Sequence, residues 1–570
     1  MTRADASRPA STSEPASQVV NATTPAFPVN WEDPADAGYF WMFDRMHAPE
    51  PMTLADAVAF QCAFDHGATA AARAYGVPMR ALTRRINTYL YLALVPTNPP
   101  TAPRPSGQDE LGIAIGRLGE LWAGEYLPEI KRHLEYWEAL DPARSTLPEL
   151  VGQLDDSLDR TRRLYEVHFL LWFPFMSAIS LFDDFYRDVF GPDSAFDAYR
   201  LLQGFENKTV ESGRALWQLS RRALDSASVR AVLEQEPAHA VIAALKVTAE
   251  GRVFLGVLRD YLATWGQRGD RWGWSYPSWI EDPTPVIKTL QDYVHQPDRD
   301  LEAEMAAQVA VREQLVAGTR ERLRSHPPDV MQRFEFLLEA AQKAIVLTED
   351  HSHWIDFRCM YHLHRISLEV GRRLSTAGVI DRPEDVFLLT PEELRDTALE
   401  LPRLNRRAQV AARRAEMEYF RSVPVPPTLG TPPSGDAPTD PVNMALFKFF
   451  GALPPTRDER AVIRGNGGSP GRATGPARIV RSLAGVGKLQ PADVLVVETT
   501  APPWTPLFAT AAAVVSDTGG ILSHCAVVAR EYGIPAVVGT GNATALLQDG
   551  QLIEVDGDAG TVRVVSQVFL

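Results

Sequence analysis

One histidine in this chain stands where it could accept a phosphoryl group and pass it on. His524 follows Thr518-Gly519-Gly520-Ile521-Leu522-Ser523 and precedes Cys525-Ala526-Val527-Val528-Ala529-Arg530-Glu531-Tyr532-Gly533-Ile534-Pro535. The apolar run Ala511 to Val515 predicts a buried strand, and Gly519-Gly520 a turn. Ser523 then serves as N-cap, so His524 falls in the first turn of a short helix ending near Glu531. Gly533-Ile534-Pro535 stops that helix, and Ala536 to Val538 begins another strand. The unpaired N–H groups and the dipole at a helix start favour a bound anion. They disfavour an imidazolium, so the spacing predicts a neutral, nucleophilic His524. The bare spacing fits equally a packing turn beside an ordinary histidine.

A second cluster lies at Glu349, Asp350, His351, His353, Asp356 and Arg358. On a regular helix Glu349, His353 and Asp356 share one face, while His351 and Arg358 share another. A carboxylate that orients an imidazole makes a general base for a hydroxyl, which points first to His353 and then to His351. The competing reading is a solvated helix face with local ion pairs. Two histidines separated by one residue point apart, so no metal site is expected. Aromatic residues gather around Pro174 (Trp172, Phe173, Phe175, Phe182) and in the Trp-rich loop (Trp272, Trp274, Trp279), where they could line a pocket for a flat acceptor. Asp183-Asp184 reads as helix surface, and Cys525 as a small apolar residue rather than a nucleophile.

These groups need elements to position them. From about Trp31 to Phe420 apolar residues recur at spacings of three and four, predicting helices at Leu118 to Leu140 (broken or kinked at Pro128), Leu154 to Phe173, Val210 to Leu224, Leu301 to Leu323, Val330 to Leu347 and Tyr361 to Leu374. The Pro-rich stretch Val423 to Pro441 reads as an exposed tether, with one further helix at Met444 to Leu453. Beyond it short β-rich runs predominate. The expected organisation is a disordered tail (1–25), a helical acceptor-binding domain (26–422), a Pro-rich linker with a short helix (423–463) and a small α/β, β-rich domain (464–570). The chain has 570 residues, a formal net charge of −15 and three cysteines. The charge argues against nucleic acid and anionic membrane as partners. The scattered cysteines fit a reducing cytosol, and no segment reads as a membrane span, so a cytoplasmic protein is expected.

The string from Thr518 to Gly539 closely resembles the swivelling phosphohistidine domain of the phosphoenolpyruvate-utilising enzyme superfamily. Gly468-Ser469-Pro470-Gly471-Arg472-Ala473-Thr474-Gly475 resembles that domain's entry motif. Thr499-Thr500-Ala501-Pro502-Pro503-Trp504-Thr505-Pro506-Leu507-Phe508 resembles its T-D-P-x-W-T-P-L-F loop, with Ala501 where an aspartate is common. The resemblance implies that His524 is phosphorylated, with Thr518, Gly519, Gly520, Ser523 and Arg530 around the phosphate. Only about 30 residues follow Gly539, too few for the (β/α)₈ barrel that handles phosphoenolpyruvate, and no nucleotide-binding pattern precedes. The remaining arrangement is similar to the rifampicin phosphotransferase family without its ATP-grasp module, and to two-subunit aryl-phosphate synthases. Trp31 with His47-Ala48-Pro49-Glu50-Pro51, Leu202 to Val210 and Glu349 to Asp356 carry that similarity, while Gln267 stands where relatives often have histidine.

By this resemblance a separate ATP-grasp subunit, using ATP and Mg2+, charges His524 and releases AMP and phosphate. The phosphoryl then passes to a hydroxyl, expected on a phenol such as cresol, with Glu349, Asp356, Arg358, Trp172 and Trp274 as acceptor-site residues. A hydroxylated antibiotic of rifamycin type is the alternative acceptor, and a non-catalytic binding module the alternative of another class.

Overall fold

The computed structural model describes residues 27–97, 109–191, 196–269, 271–432, 439–451 and 462–566. The expected tail (1–25), part of the Pro-rich stretch and the end of the helix expected to reach Leu453 lie outside them. A helical region comes first and a small α/β domain built on one sheet follows.

The spine of the helical region is Leu147–Phe190, started by a capping box of Thr146 and Glu149 and buried along most of its length. By length and composition it could cross a membrane, but 83% of its most apolar stretch is buried inside the protein. Pro174 sits in its interior, where a proline leaves the carbonyl four residues earlier without its N–H partner. That carbonyl, Leu170 O, accepts the Tyr75 hydroxyl at 2.6 Å instead, which lets the helix continue past the proline expected to end it. Pro328–His351 and Phe357–Thr376 pack along the spine.

Three π-helical segments interrupt this region, at Gln61–Ala68, Trp122–Tyr126 and Ser352–Asp356. The break expected at Pro128 is one of them: the helix stays continuous through Trp122–Tyr126 and the proline opens the following α-helical stretch. The reading of residues 31 to 420 as helical also missed a four-stranded antiparallel sheet. At one edge a hairpin pairs Met79–Ile86 with Tyr89–Pro96 through Asn87 and Thr88, both at positive φ, the geometry of a tight two-residue turn. The sheet's other edge is Thr428–Leu429, so the Pro-rich stretch is not wholly an exposed tether; Leu429 is buried against Trp41.

In the C-terminal domain Arg472–Ile479, Val494–Val497, Ala513–Ser516 and Ala536–Val538 are parallel neighbours, flanked by antiparallel strands at both edges of an eight-stranded sheet. Val494–Val497, Ala513–Ser516 and Ala536–Val538 are fully buried, Val-rich runs, as expected of strands covered on both faces. The loops leaving the ends of Val494–Val497 and Ala513–Ser516 converge on the start of helix His524–Glu531.

The helix Pro441–Phe450 joins the two parts, and both grip it. Its Lys448 ammonium lies 2.9 Å from Asp183 and 2.7 Å from Asp184 on the spine. Asp183 is therefore a buried anchor rather than helix surface. On the other side the Lys448 and Phe449 carbonyls accept the N–H groups of Leu522 (3.0 Å) and Gly520 (2.7 Å), tying this helix to the loop that carries His524.

Candidate functional site

His524 opens its helix as expected, with Ser523 in extended conformation before it. The Ser523 hydroxyl makes no capping bond; it is buried without a hydrogen-bond partner, as is that of Thr500. Both residues line a cavity of about 50 Å³ with Thr499, Thr518, Gly519, His47 and His524. Cys525 is fully packed, and burial pushes its thiol up to about 12, which removes it as a nucleophile.

The C-terminal domain is docked against the helical region with His524 at the contact. His524 Nδ1 lies 3.0 Å from Glu349 Oε1, and Nε2 lies 3.4 Å from the Thr505 hydroxyl. Glu349 accepts the Thr209 hydroxyl on its other oxygen at 2.6 Å. Burial raises the Glu349 pKa, but the facing His524 and the hydrogen bonds outweigh it and hold the carboxyl below its ordinary range. Around this contact Arg45 donates to Gly541 O (2.7 Å), Thr499 to Met46 O (2.9 Å) and Gln203 to Arg530 O (2.5 Å).

Behind Glu349 a second cavity of about 120 Å³ runs into the helical region. Phe60 and Phe64 from one end, Phe169, Trp172 and Phe175 from the spine, and Phe449 and Phe450 from the joining helix form its walls. Its polar end holds His168, His351 and Asp356, all buried, with one ligand-capable atom of each within 4.8 Å of the others. His168 Nδ1 is 2.8 Å from Asp356 Oδ1, while Asp356 Oδ2 has no hydrogen-bond partner. His351 gives its Nδ1–H to the Leu347 carbonyl at 2.5 Å, and burial pulls its pKa down to about 4, so it stays neutral with an unprotonated Nε2, 3.4 Å from the Ser352 hydroxyl.

His47 borders both cavities, its Nδ1 2.8 Å from Asp44 Oδ2. Burial pulls its pKa down, yet the charge and hydrogen bond of Asp44 outweigh it and raise it above its ordinary value. His47 had been noted only as part of a family motif, and its spacing from Asp44 was the signal available in the sequence. His168 was not singled out at all. It lies 188 residues from Asp356, and no local pattern joins them.

Several expected site residues stand elsewhere. His353, the first expectation for the general base, lines neither cavity; its ring packs on Trp265 and Trp354 with Nδ1 3.1 Å from Arg268 Nη2. Burial and the neighbouring Arg268 depress its pKa to about 2, leaving a very weak base. The cause is the π-helical turn Ser352–Asp356. Its i→i+5 pattern replaces the regular helical phase assumed from spacing, and it brings Glu349, His351 and Asp356 to one cavity while turning His353 away. Arg358 lies over the Trp354 ring instead, 3.8 Å from Glu138. Trp274 is core, and Trp272 takes the lining position expected of it.

Of the residues expected around the phosphate, Thr518, Gly519 and Ser523 line the small cavity, while Gly520 and Arg530 do not. A Cβ on Gly520 would meet the Lys448 carbonyl at 2.1 Å, so its role is close approach of the joining helix. Arg530 is buried, donating to Gly468 O (2.7 Å) and Ile521 O (3.0 Å), and braces the His524 loop from behind.

Comparison with known proteins matches residues 169–349 to the rifampicin phosphotransferase fourth domain and residues 489–560 to the PEP-utilising enzyme mobile domain. The chain is 43% identical over 559 residues to the chondramide synthase of Chondromyces crocatus, covering 95% of this chain and 14% of that protein. It is 32% identical over 410 residues to the uncharacterized phosphotransferase YvkC of Bacillus subtilis, covering 71% of this chain and 47% of that one. To rifampicin phosphotransferase of Streptomyces sviceus it is 36% identical over 200 residues, 34% of this chain and 21% of the relative. The chain thus spans less than half the length of each of these relatives. The two matched regions are the two halves that meet at His524 and Glu349, and this chain belongs to the PEP-utilising enzyme superfamily, as a relative of rifampicin phosphotransferase.

Proposed function

We propose that this chain is the phosphoryl-carrying and acceptor-binding part of an ATP-dependent phosphotransferase. The observation that carries the reading is the His524–Glu349 contact across the domain interface, at the mouth of an aromatic cavity. Glu349, held as a carboxylate, accepts the Nδ1–H of His524. This fixes the tautomer that leaves Nε2 with its lone pair, the atom that bonds phosphorus. The unpartnered hydroxyls of Ser523 and Thr500 in the adjoining small cavity suit phosphoryl oxygens, and the His47 imidazole, held by Asp44, lines the same cavity. During delivery the Glu349 carboxylate steadies the protonated Nδ1 of phosphohistidine, the form from which the imidazole leaves readily.

Neither cavity is lined by a lysine or arginine among the described residues, a lining that does not fit a nucleotide polyphosphate with Mg2+. In this reading ATP and Mg2+ belong to a separate ATP-grasp subunit, which leaves the β-phosphoryl on His524 and releases AMP and phosphate. The acceptor is the hydroxyl of a small aromatic ring such as cresol. A cavity of about 120 Å³ with walls of Phe and Trp is close to the roughly 150 Å³ apolar cavity known to admit one benzene ring. A rifamycin-sized macrocycle does not fit it in the docked arrangement.

The test mixes this chain with the ATP-grasp partner and ATP labelled at the β-phosphate. Acid-labile label is expected on this chain, with AMP release dependent on an added phenol. An unlabelled chain, or label that survives His524→Ala, would sink the reading.

A further inference from the structure

Transfer to a hydroxyl needs a base at the acceptor, and the polar end of the aromatic cavity contains an oriented one. We propose that His168, positioned by Asp356, is the general base that takes the proton of the acceptor hydroxyl as the phosphoryl leaves His524. The role rests on the carrier reading above; the arrangement itself does not.

Three imidazoles border the cavity besides His524, and their surroundings separate them. His47 is paired with Asp44 on the side shared with the small cavity, where it faces the phosphoryl side of the site rather than the polar end. His351 has its Nδ1–H fixed on Leu347 O and is too weakly basic to hold a proton near neutrality. His168 differs from both. Its Nδ1 lies 2.8 Å from Asp356 Oδ1, which fixes the Nδ1–H tautomer, and its Nε2 has no protein partner among the described residues. The residue lines the same cavity as His524.

The hydrogen-bond inventory at this end is lopsided. Asp356 is fully buried with Oδ2 unpartnered, and His351 Nε2 presents a lone pair 3.9 Å from it, approached besides only by the Ser352 hydroxyl at 3.4 Å. With His168 Nε2 this makes three lone-pair sites in an apolar wall and one hydroxyl to serve them. A buried acceptor left unmatched costs about 1–3 kcal/mol, so the site is built to receive a donor. The acceptor's own O–H is that donor.

The step balances without any further reactant. The hydroxyl O–H breaks and its proton goes to His168 Nε2, stabilised through Nδ1–H by Asp356. The oxygen forms its bond to phosphorus as the P–Nε2 bond of phospho-His524 breaks, and that electron pair returns to the His524 ring, whose Nδ1–H stays with Glu349.

The test uses this chain alone, because isotope exchange between a phenol and its phosphate ester runs the transfer in both directions without ATP. Labelled p-cresol is exchanged into p-cresyl phosphate, and labelled p-nitrophenol into p-nitrophenyl phosphate. Nitrophenol is already largely ionised near neutral pH and needs no base; cresol does. His168→Asn is expected to slow cresol exchange by roughly 10²–10⁴-fold and nitrophenol exchange by less than about tenfold. Asp356→Asn is expected to show the same asymmetry, and retained nitrophenol exchange certifies that each variant is folded. Equal loss of both exchanges, or loss of neither, overturns the assignment. So does exchange abolished by a chelator and restored by Zn2+, since an ion rather than the imidazole would then be activating the hydroxyl. Exchange that persists in His524→Ala, or none with any phenol, brings down the carrier reading and this one with it.

Discussion

The carrier loop and the acceptor cavity face each other across one contact, yet they are built on opposite principles. The carrier site is local: a strand, a turn with two glycines and a helix start place His524, Ser523 and Thr518 within a few residues. The acceptor site is dispersed: His47, Phe64, His168, Trp172, His351, Asp356 and Phe449 come from separate elements spread over about 400 positions of the chain. A carrier must keep its geometry while it moves between partners, so its parts lie on one short segment. An acceptor pocket must exclude water and fit a ring, which takes walls from several directions.

The largest effect that separates the two regions is at His524. His524→Ala is expected to remove acid-labile label and phenol exchange altogether while leaving the aromatic cavity able to bind its ring, read by isothermal titration with p-cresol. Glu349→Gln belongs to the helical side of the same contact. It should leave labelling of His524 by the partner intact and slow delivery by roughly 10²–10⁴-fold, the range seen when an imidazole loses its orienting carboxylate or its proton-transfer partner. Rapid-quench measurement of label passing from chain to phenol distinguishes the two steps.

Gly520→Ala probes the joint between the regions. The added methyl collides with the Lys448 carbonyl, so the joining helix must shift, at about 1–3 kcal/mol as for other overpacked contacts. Labelling should survive and delivery should fall by about five- to a hundredfold, seen as a lower single-turnover rate. Normal delivery in this variant would break the view that the joining helix forms part of the site.

The mildest perturbation is acid. In the helical region His351 and His362 are buried and His353 is half-buried, and desolvation holds them neutral at about 4, 3 and 2 respectively. Unfolded, each returns to its ordinary value of 6.5 and binds more protons than the folded form at any pH between the two values. Stability therefore rises with pH up to about 6.5 and is lost as pH falls below it. The C-terminal domain contains no histidine but His524. Lowering the pH from 7 to 4.5 should unfold the helical region before that domain, a split visible as two transitions in tryptophan fluorescence and far-UV dichroism. His362→Phe should narrow the split.

The same contrast governs what could be read in advance. The carrier helix runs over His524–Glu531 and the next strand over Ala536–Val538, as the Gly-Gly turn, the N-cap and the Gly-Ile-Pro stop dictate. Leu301–Leu323 likewise keeps its expected bounds, its start capped by the Asp300 side chain. The hairpin at Met79–Pro96 was missed because its second strand is apolar on both faces and so shows no alternation. The length of Leu147–Phe190 was underestimated because its proline is accommodated by a hydroxyl from Tyr75, far off in sequence. His353 was expected at the site, and His168 was overlooked, for a combined reason. A π-helical turn is invisible to a count of residues per regular turn, and the partner of Asp356 is on another helix.

By itself the sequence determined the superfamily, the placement of His524 at a helix start after a Gly-Gly turn, and the helix-then-sheet order. Those depend on contacts between near neighbours, whose geometry is set by backbone periodicity, turns and caps. Only the tertiary structure decided which imidazole burial keeps neutral and which ones face a carboxylate. Desolvation and Coulomb interactions act through space, and here their sources lie on helices and loops that the chain brings together only when it folds.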